Sequence, residues 1–141
     1  MIESADEFIQ LRYSEDPKEY GRSANDAATE SVWLDVIERF PEARKWVALN
    51  KKLPENILWK LVRDSDRDVR YMVACRNQLT AKMFEELAKD IDSSIRARIC
   101  GNKRVPEYIV NELAKDSSPL VINAAVFRIA SDENKKGPDS R

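Results

Sequence analysis

The chain has 141 residues, 35% of them charged, with a formal net charge of −1, which fits one domain able to bury a core over most of its length. It has no histidine and only two cysteines, so it lacks the commonest general base, the commonest zinc ligand, any Ser-His or Cys-His nucleophile pair and the material for a thiolate cage. We therefore expect no enzyme active site, no metal and no cofactor. Three glycines and six prolines argue against a turn-rich β protein, and the abundance of Ala, Leu, Glu, Lys and Arg suits surface helices. No apolar run approaches about 18 residues, and the acidic start Met1-Ile2-Glu3-Ser4-Ala5-Asp6-Glu7 is unlike a signal peptide. The expectation is an all-α protein of the cytoplasm with no membrane segment.

Taken in chain order, Ser4-Ala5-Asp6-Glu7 reads as a capping box leading into Phe8, Ile9, Leu11 and Tyr13, which predicts a helix near 5–13. Residues 27–39, with Trp33, Val36 and Ile37, read as a degenerate helix that completes an N-terminal cap over 1–39. From residue 40 the chain repeats with a period of 26: 40–65, 66–91 and 92–117 align without a gap, and a truncated unit follows over 118–130. Ala43, Val69, Ile95 and Val121 share one column; Val47, Val73, Ile99 and Ala125 share another; Leu61, Leu87 and Leu113 a third. Within each unit the apolar spacing is helical twice. Pro54, Thr80 and Pro106 mark the start of each second helix, and Asp66, Asp92 and Ser118 precede the first helices as caps. One such unit cannot bury its own apolar stripe, so the pairs are expected to stack into a short α-solenoid, a single helical-repeat domain over 1–130. The polar residues 131–141 read as a disordered tail.

The remaining columns carry charge and aromatic side chains. Arg44, Arg70 and Arg96 lie between core positions of the first helices, where they can pair with Asp64, Asp90 and Asp116 in an internal ladder, with Asp66 and Asp92 nearby. Lys51, Lys52, Arg76, Lys103 and Arg104 form a basic rim past the ends of the first helices, which complements the helix dipoles or, as an alternative, binds nucleic acid. Residues 1–42 hold 11 acidic and 4 basic side chains, whereas residues 43–141 hold 14 acidic and 20 basic. This split suits steering of a charged protein partner at least as well as a polyanion. Opposite the core face of the first helices lie Lys45, Trp46 and Leu49, then Tyr71, Met72 and Cys75, then Ala97, Arg98 and Gly101. Exposed aromatic and Met side chains mark interaction surfaces. Lys45, Trp46, Leu49, Tyr71, Met72 and Arg98 are thus the expected partner-binding residues. Alternatives are that residues 1–26 cover this patch or that it joins two copies, so the chain is expected as a monomer or weak dimer. On the second helices only Trp59 and Tyr108 interrupt a solvated face. Cys75 and Cys100 read as small hydrophobes without a disulfide.

The run Asp66-x-x-Val69-Arg70-x-x-Val73-Ala74, then Leu79-Thr80, then Leu87-Ala88-x-Asp90, resembles the leucine-rich repeat variant, a relative of the HEAT-like helical repeats. The likeness covers roughly residues 40–128 and implies the fold far more sharply than a function. Repeats of the founding type are slightly shorter, and the family's prototype carries a cysteine-bound iron–sulfur cluster ahead of them. This chain has no cysteine before Cys75, so the cluster does not carry over. Small cytoplasmic bacterial proteins that look like this also occur as immunity proteins, which bind and block a toxin. The resemblance therefore implies a non-enzymatic binding module whose partner is another protein, such as a toxin domain. A nucleic-acid-binding HEAT-like repeat is the alternative.

Overall fold

Apolar spacings of three and four residues dominate the sequence, and the computed structural model, which describes residues 1–136, resolves them into helices throughout. Ten α-helices follow one another among the described residues, and no strand occurs among them; an isolated parallel bridge joins Ile2 to Ala28. The structure divides into two compact units, Met1–Val73 and Ala74–Arg141.

In the first unit, α1 (Ala5–Arg12), α2 (Pro17–Asn25) and α3 (Glu30–Arg39) precede a 3₁₀ turn at Pro41–Ala43, α4 (Arg44–Val47) and α5 (Glu55–Val62); α6 runs over Arg67–Ala74. Ser4 caps α1 by accepting the Glu7 amide at 3.0 Å, while the Glu7 carboxylate accepts the Glu3 amide at 2.8 Å. The expected reciprocal box is thus shifted by one residue. Helix α2 has no counterpart among the sequence expectations. Its start is nonetheless written in Asp16-Pro17, because Asp16 accepts the Lys18 amide at 2.9 Å and proline occupies the first helical position. Phe8 and Trp33 meet edge to face with ring centroids 5.3 Å apart, and with Ile2, Leu11, Val36 and Ile37 they build a core for α1–α3. Ala43, Val47, Leu61 and Val69 extend that core. Burial of side chains such as Phe8, Trp33 and Leu61 contributes about 1.5–3 kcal/mol each.

The second unit contains α7 (Ala81–Leu87), α8 (Ser93–Cys100), α9 (Glu107–Leu113) and α10 (Pro119–Lys136). Thr80 caps α7 through the Met83 amide at 3.2 Å, and Asp92 caps α8 through the Ser94 amide at 2.8 Å. Met83, Phe84, Leu87, Ile95, Ile99, Ile109 and Val121 fill the core. Helix α10 corrects one expectation: residues 131–136, read as the start of a disordered tail, continue the helix to Lys136. Position 132 holds Asp132 where the earlier units have Pro54, Thr80 and Pro106. With no helix-breaker there, Arg128 grips the Asp132 carboxylate one turn on at 3.0 Å and supports continuation. The remainder of the expected tail, 137–141, lies outside the described residues.

Candidate functional site

The arginine column shows how much of the polar sequence is used inside the protein. In the first unit Arg44 donates through Nε to the Ile37 carbonyl at 2.7 Å and lies 3.7 Å from the Asp64 carboxylate, whose side chain is almost fully buried. Arg70 donates to the Asp64 carbonyl at 2.9 Å and to that of Ser65 at 3.3 Å. In the second unit Arg96 forks the Asp116 carboxylate through Nε at 3.0 Å and through a terminal nitrogen at 3.2 Å, and also donates to the Asp90 carbonyl at 2.6 Å. Two charge-assisted bonds on one carboxylate are about twice as strong as neutral ones. Arg96, together with the Ser118 amide, holds the Asp116 carboxyl below its ordinary pKa. The same aspartates organise the turns: Asp64, Asp66, Asp90, Asp92 and Asp116 each accept the amide two residues on, at 2.8–2.9 Å.

A second polar column escapes the sequence reading. Asn50, almost the last residue before the basic rim, is fully buried and donates its amide to the Ser23 and Asp26 carbonyls at 2.9 and 2.8 Å, while accepting the Lys52 amide at 2.8 Å. Asn102 does the same in the second unit: it donates to the carbonyls of Ala74, at 3.0 Å, and Arg76, and accepts the Arg104 amide at 2.9 Å. Arg128, 26 residues further on, donates to the Cys100 and Asn102 carbonyls at 2.9 and 2.7 Å. A signal exists, because positions 50, 76, 102 and 128 read Asn, Arg, Asn, Arg at the repeat spacing.

Arg76 occupies that column and differs in burial from the other residues of the expected basic rim. It is half-buried, and burial lowers the pKa of its guanidinium. Lys51, Lys52, Lys103 and Arg104 are exposed. Their backbone is tied down locally, since the Lys51 amide donates to the Ala24 carbonyl at 2.8 Å.

The expected partner-binding residues divide. Arg98 is half-buried: its Nε donates to the Cys75 sulfur at 3.2 Å, and it lies so close to Gly101 that a Cβ there would sit 2.8 Å from its guanidinium. Sequence phase sets Arg98 opposite the core face but cannot show that Cys75 and a glycine make a seat for it. Tyr71 and Met72 are half-buried, with Arg67 5.8 Å from the Tyr71 ring centre. Leu49 is exposed and Lys45 half-buried. Trp46 is half-buried rather than bare, because α1 sends Arg12 over its ring, 3.7 Å from the centroid. The same guanidinium lies 4.6 Å from the centre of the Tyr20 ring of α2, and Lys45 lies 5.0 Å from the Trp46 ring centre. Of residues 1–26, then, Arg12 reaches Trp46 and carries Tyr20 beside it, and Tyr13 and Tyr20 are exposed.

Elsewhere, Arg63 lies over the half-buried Trp59 ring at 4.8 Å, and the exposed Tyr108 donates its hydroxyl to Glu85 at 2.7 Å beside a shallow cleft of about 350 Å³. Val126 and Phe127 of α10 are exposed, Phe127 by 75%, although the positions one, two and three periods before Val126, namely Cys100, Ala74 and Ala48, are fully buried. Both cysteines are free, and burial pushes the Cys100 thiol up to about 11. Among the described residues no three Cys, Asp or Glu side chains gather as a metal site, and no helix is long and apolar enough to cross a membrane. Compared with known protein families, with curated proteins and with solved structures, the chain matches none.

Proposed function

We propose that the chain is a non-enzymatic protein-binding module, a short α-solenoid of 26-residue helix pairs that neutralises a toxin or enzyme by occluding it. The observation that carries this reading is the outward side of α4. There Trp46, Tyr20, Arg12, Lys45 and Leu49 present aromatic, cationic and apolar groups together, the composition typical of interface hot spots. Most other arginines with charged or carbonyl partners are committed to holding the fold, as Arg44, Arg70, Arg96 and Arg128 are. The solenoid arrangement is supported by polar contacts that recur at the repeat spacing at Arg70 and Arg96 and at Asn102 and Arg128. Immunity to a toxin is what the family resemblance implies for a protein of this size.

The test starts from a co-purified partner, with affinity measured by calorimetry. Trp46→Glu, Tyr71→Glu and Met72→Lys should each weaken it by about 2 kcal/mol or more, the loss expected at a hot spot. Glu85→Lys, on a solvated face, serves as the control. The partner's activity should fall on binding. Tight binding to generic duplex DNA with a steep salt dependence, unaffected by the three substitutions, overturns the reading in favour of a nucleic-acid-binding repeat.

A further inference from the structure

The guanidinium of Arg12 is held in an unusual way. Its Cζ lies over two aromatic rings at once, 3.7 Å from the Trp46 centroid and 4.6 Å from that of Tyr20, and no carboxylate or carbonyl of the described residues takes its N–H groups. Elsewhere the same group is bound through its edges: Arg22 by Glu7 and Asp26, Arg39 by Asp6 and Asp35, Arg96 by Asp116. Lys45, close to the same Trp46 ring, also has no carboxylate partner among the described residues. Stacking fixes the plane of a guanidinium without using its donors. A fork so fixed loses little entropy when it accepts a planar anion, which is the general advantage of a preorganised receptor.

We propose that Arg12, held over the rings of Tyr20 and Trp46, is the anchor that receives an acidic side chain of the partner protein, with Lys45 as the second cation. The proposal rests on the protein-binding reading and names the chemistry of the same surface. A carboxylate matches the fork in shape and charge. A nucleic acid fits less well. The faces of Tyr20 and Trp46 turned toward Arg12 are already stacked, so they are closed to bases, and Glu15, Asp16 and Glu19 flank Tyr20 in sequence and repel a run of phosphates. One carboxylate on a neutral or basic surface avoids that repulsion. This surface would therefore select an isolated Asp or Glu rather than an acidic tract.

The test is a titration of the isotopically labelled full chain, following the Arg12 Nε–H and Trp46 Nε1–H resonances. The probes are N-acetyl-glutamate amide, its glutamine counterpart, inorganic phosphate and an oligothymidine. Both resonances should shift saturably with the glutamate probe, and about tenfold more weakly with the uncharged glutamine probe, as expected when a charge-assisted fork is lost. Arg12→Gln should abolish the response, whereas Arg12→Lys, which keeps charge but not the fork, should weaken it several-fold with an unchanged melting curve. Lys45→Met should weaken it less and leaves the stack in place, so it serves if Arg12 variants fold poorly. Equal shifts with glutamate and glutamine, an unaltered response in Arg12→Gln, or saturation by phosphate or oligothymidine at lower concentration than by glutamate would each overturn the proposal. If the glutamate arm fails while Trp46→Glu still abolishes binding of a captured partner, protein binding stands and the carboxylate anchor alone falls. A glutamate response with no loss of partner on Trp46→Glu does the opposite: the carboxylate site stands, and its place in a protein-binding surface falls.

Discussion

The loops that follow α4 and α8 are built on the same plan and face outward differently. Each has a buried asparagine, Asn50 or Asn102, that donates to two carbonyls some 24–28 positions earlier in the chain and accepts the amide two residues on. Each helix carries an arginine, Arg44 or Arg96, that reaches an aspartate twenty residues later. On the outward side the likeness ends. Trp46 is met by Arg12, which also lies over Tyr20, leaving cationic donors at the surface, whereas Arg98 turns back onto Cys75. Inward positions keep their task wherever carbonyls need a donor, even when those carbonyls belong to residues 23–26 ahead of the sequence repeat; outward positions differ with what lies near them.

The comparison breaks first if the two asparagines are unequal. Asn102→Ala strands two carbonyls and one amide, and Asn50→Ala strands an equivalent set. Each should cost about 2–4 kcal/mol in chemical denaturation, since each buried unsatisfied group costs on the order of 1–3 kcal/mol. A loss below about 1 kcal/mol at either site would show that the loop there holds itself. The arginines should separate more. Arg96→Met breaks a two-bond fork with Asp116 and should cost about 2–3 kcal/mol, against about 1 kcal/mol for Arg44→Met, whose carboxylate contact is 3.7 Å long. Acid sharpens this contrast. Because the folded protein depresses the Asp116 pKa, its contribution is complete above the unfolded value of about 3.9 and is lost as pH falls through the lower folded value. Melting temperature should therefore fall more steeply below about pH 4 in the parent chain than in Arg96→Met.

The two thiols give a smaller difference. Cys100 is fully buried with its thiol pushed up to about 11, while Cys75 is half-buried. One thiol should react with a disulfide reagent in the native state and two after unfolding. Cys100→Ser should cost about 1–2 kcal/mol for placing a hydroxyl in an apolar site, and Cys75→Ser less. Equal native reactivity of both thiols would mean that the end of α8 opens readily.

Much of the helix pattern is legible in the sequence because it depends on short-range physics. Apolar spacing places α5, α7, α8 and α9, and caps such as Thr80 and Asp92 fix two starts. What stays hidden requires knowing a neighbour. Helix α2 has a single buried side chain, Ser23, so no apolar stripe announces it. The role of Asn50 and Asn102 depends on carbonyls far back in the sequence, and Arg76 reads as rim because a charged residue after a helix usually is. Val126 sits at a column that is buried in three earlier places and is exposed at the fourth; periodicity predicts the phase of a side chain and not what lies opposite. The candidate surface is legible in the same partial way. Lys45, Trp46 and Leu49 follow from helix phase, while Arg12 and Tyr20, which complete the surface, come from a region with no repeat to mark them.

The smallest expected effect is also the one that bears most on function. If the Arg12 stack exists for recognition, removing it should leave the fold nearly untouched, because the guanidinium contributes only partly exposed cation–π contacts, each on the order of 0.5–1 kcal/mol. Arg12→Gln should lower stability by less than about 1 kcal/mol, and Trp46→Ala, which also uncovers part of α4, by somewhat more. Arg98→Ala is the matched control: it loses a weak bond to sulfur and its packing over Gly101, and should cost about as much as Arg12→Gln while leaving partner affinity unchanged. Equal stability losses with unequal binding losses would separate the two outward arginines by function. Should Arg12→Gln instead unfold the first unit while Arg98→Ala is silent, the stack is the clasp that holds α1 and α2 against α4. The binding surface would then lie at Tyr71 and Met72, or at the exposed Lys51 and Lys52 beyond α4.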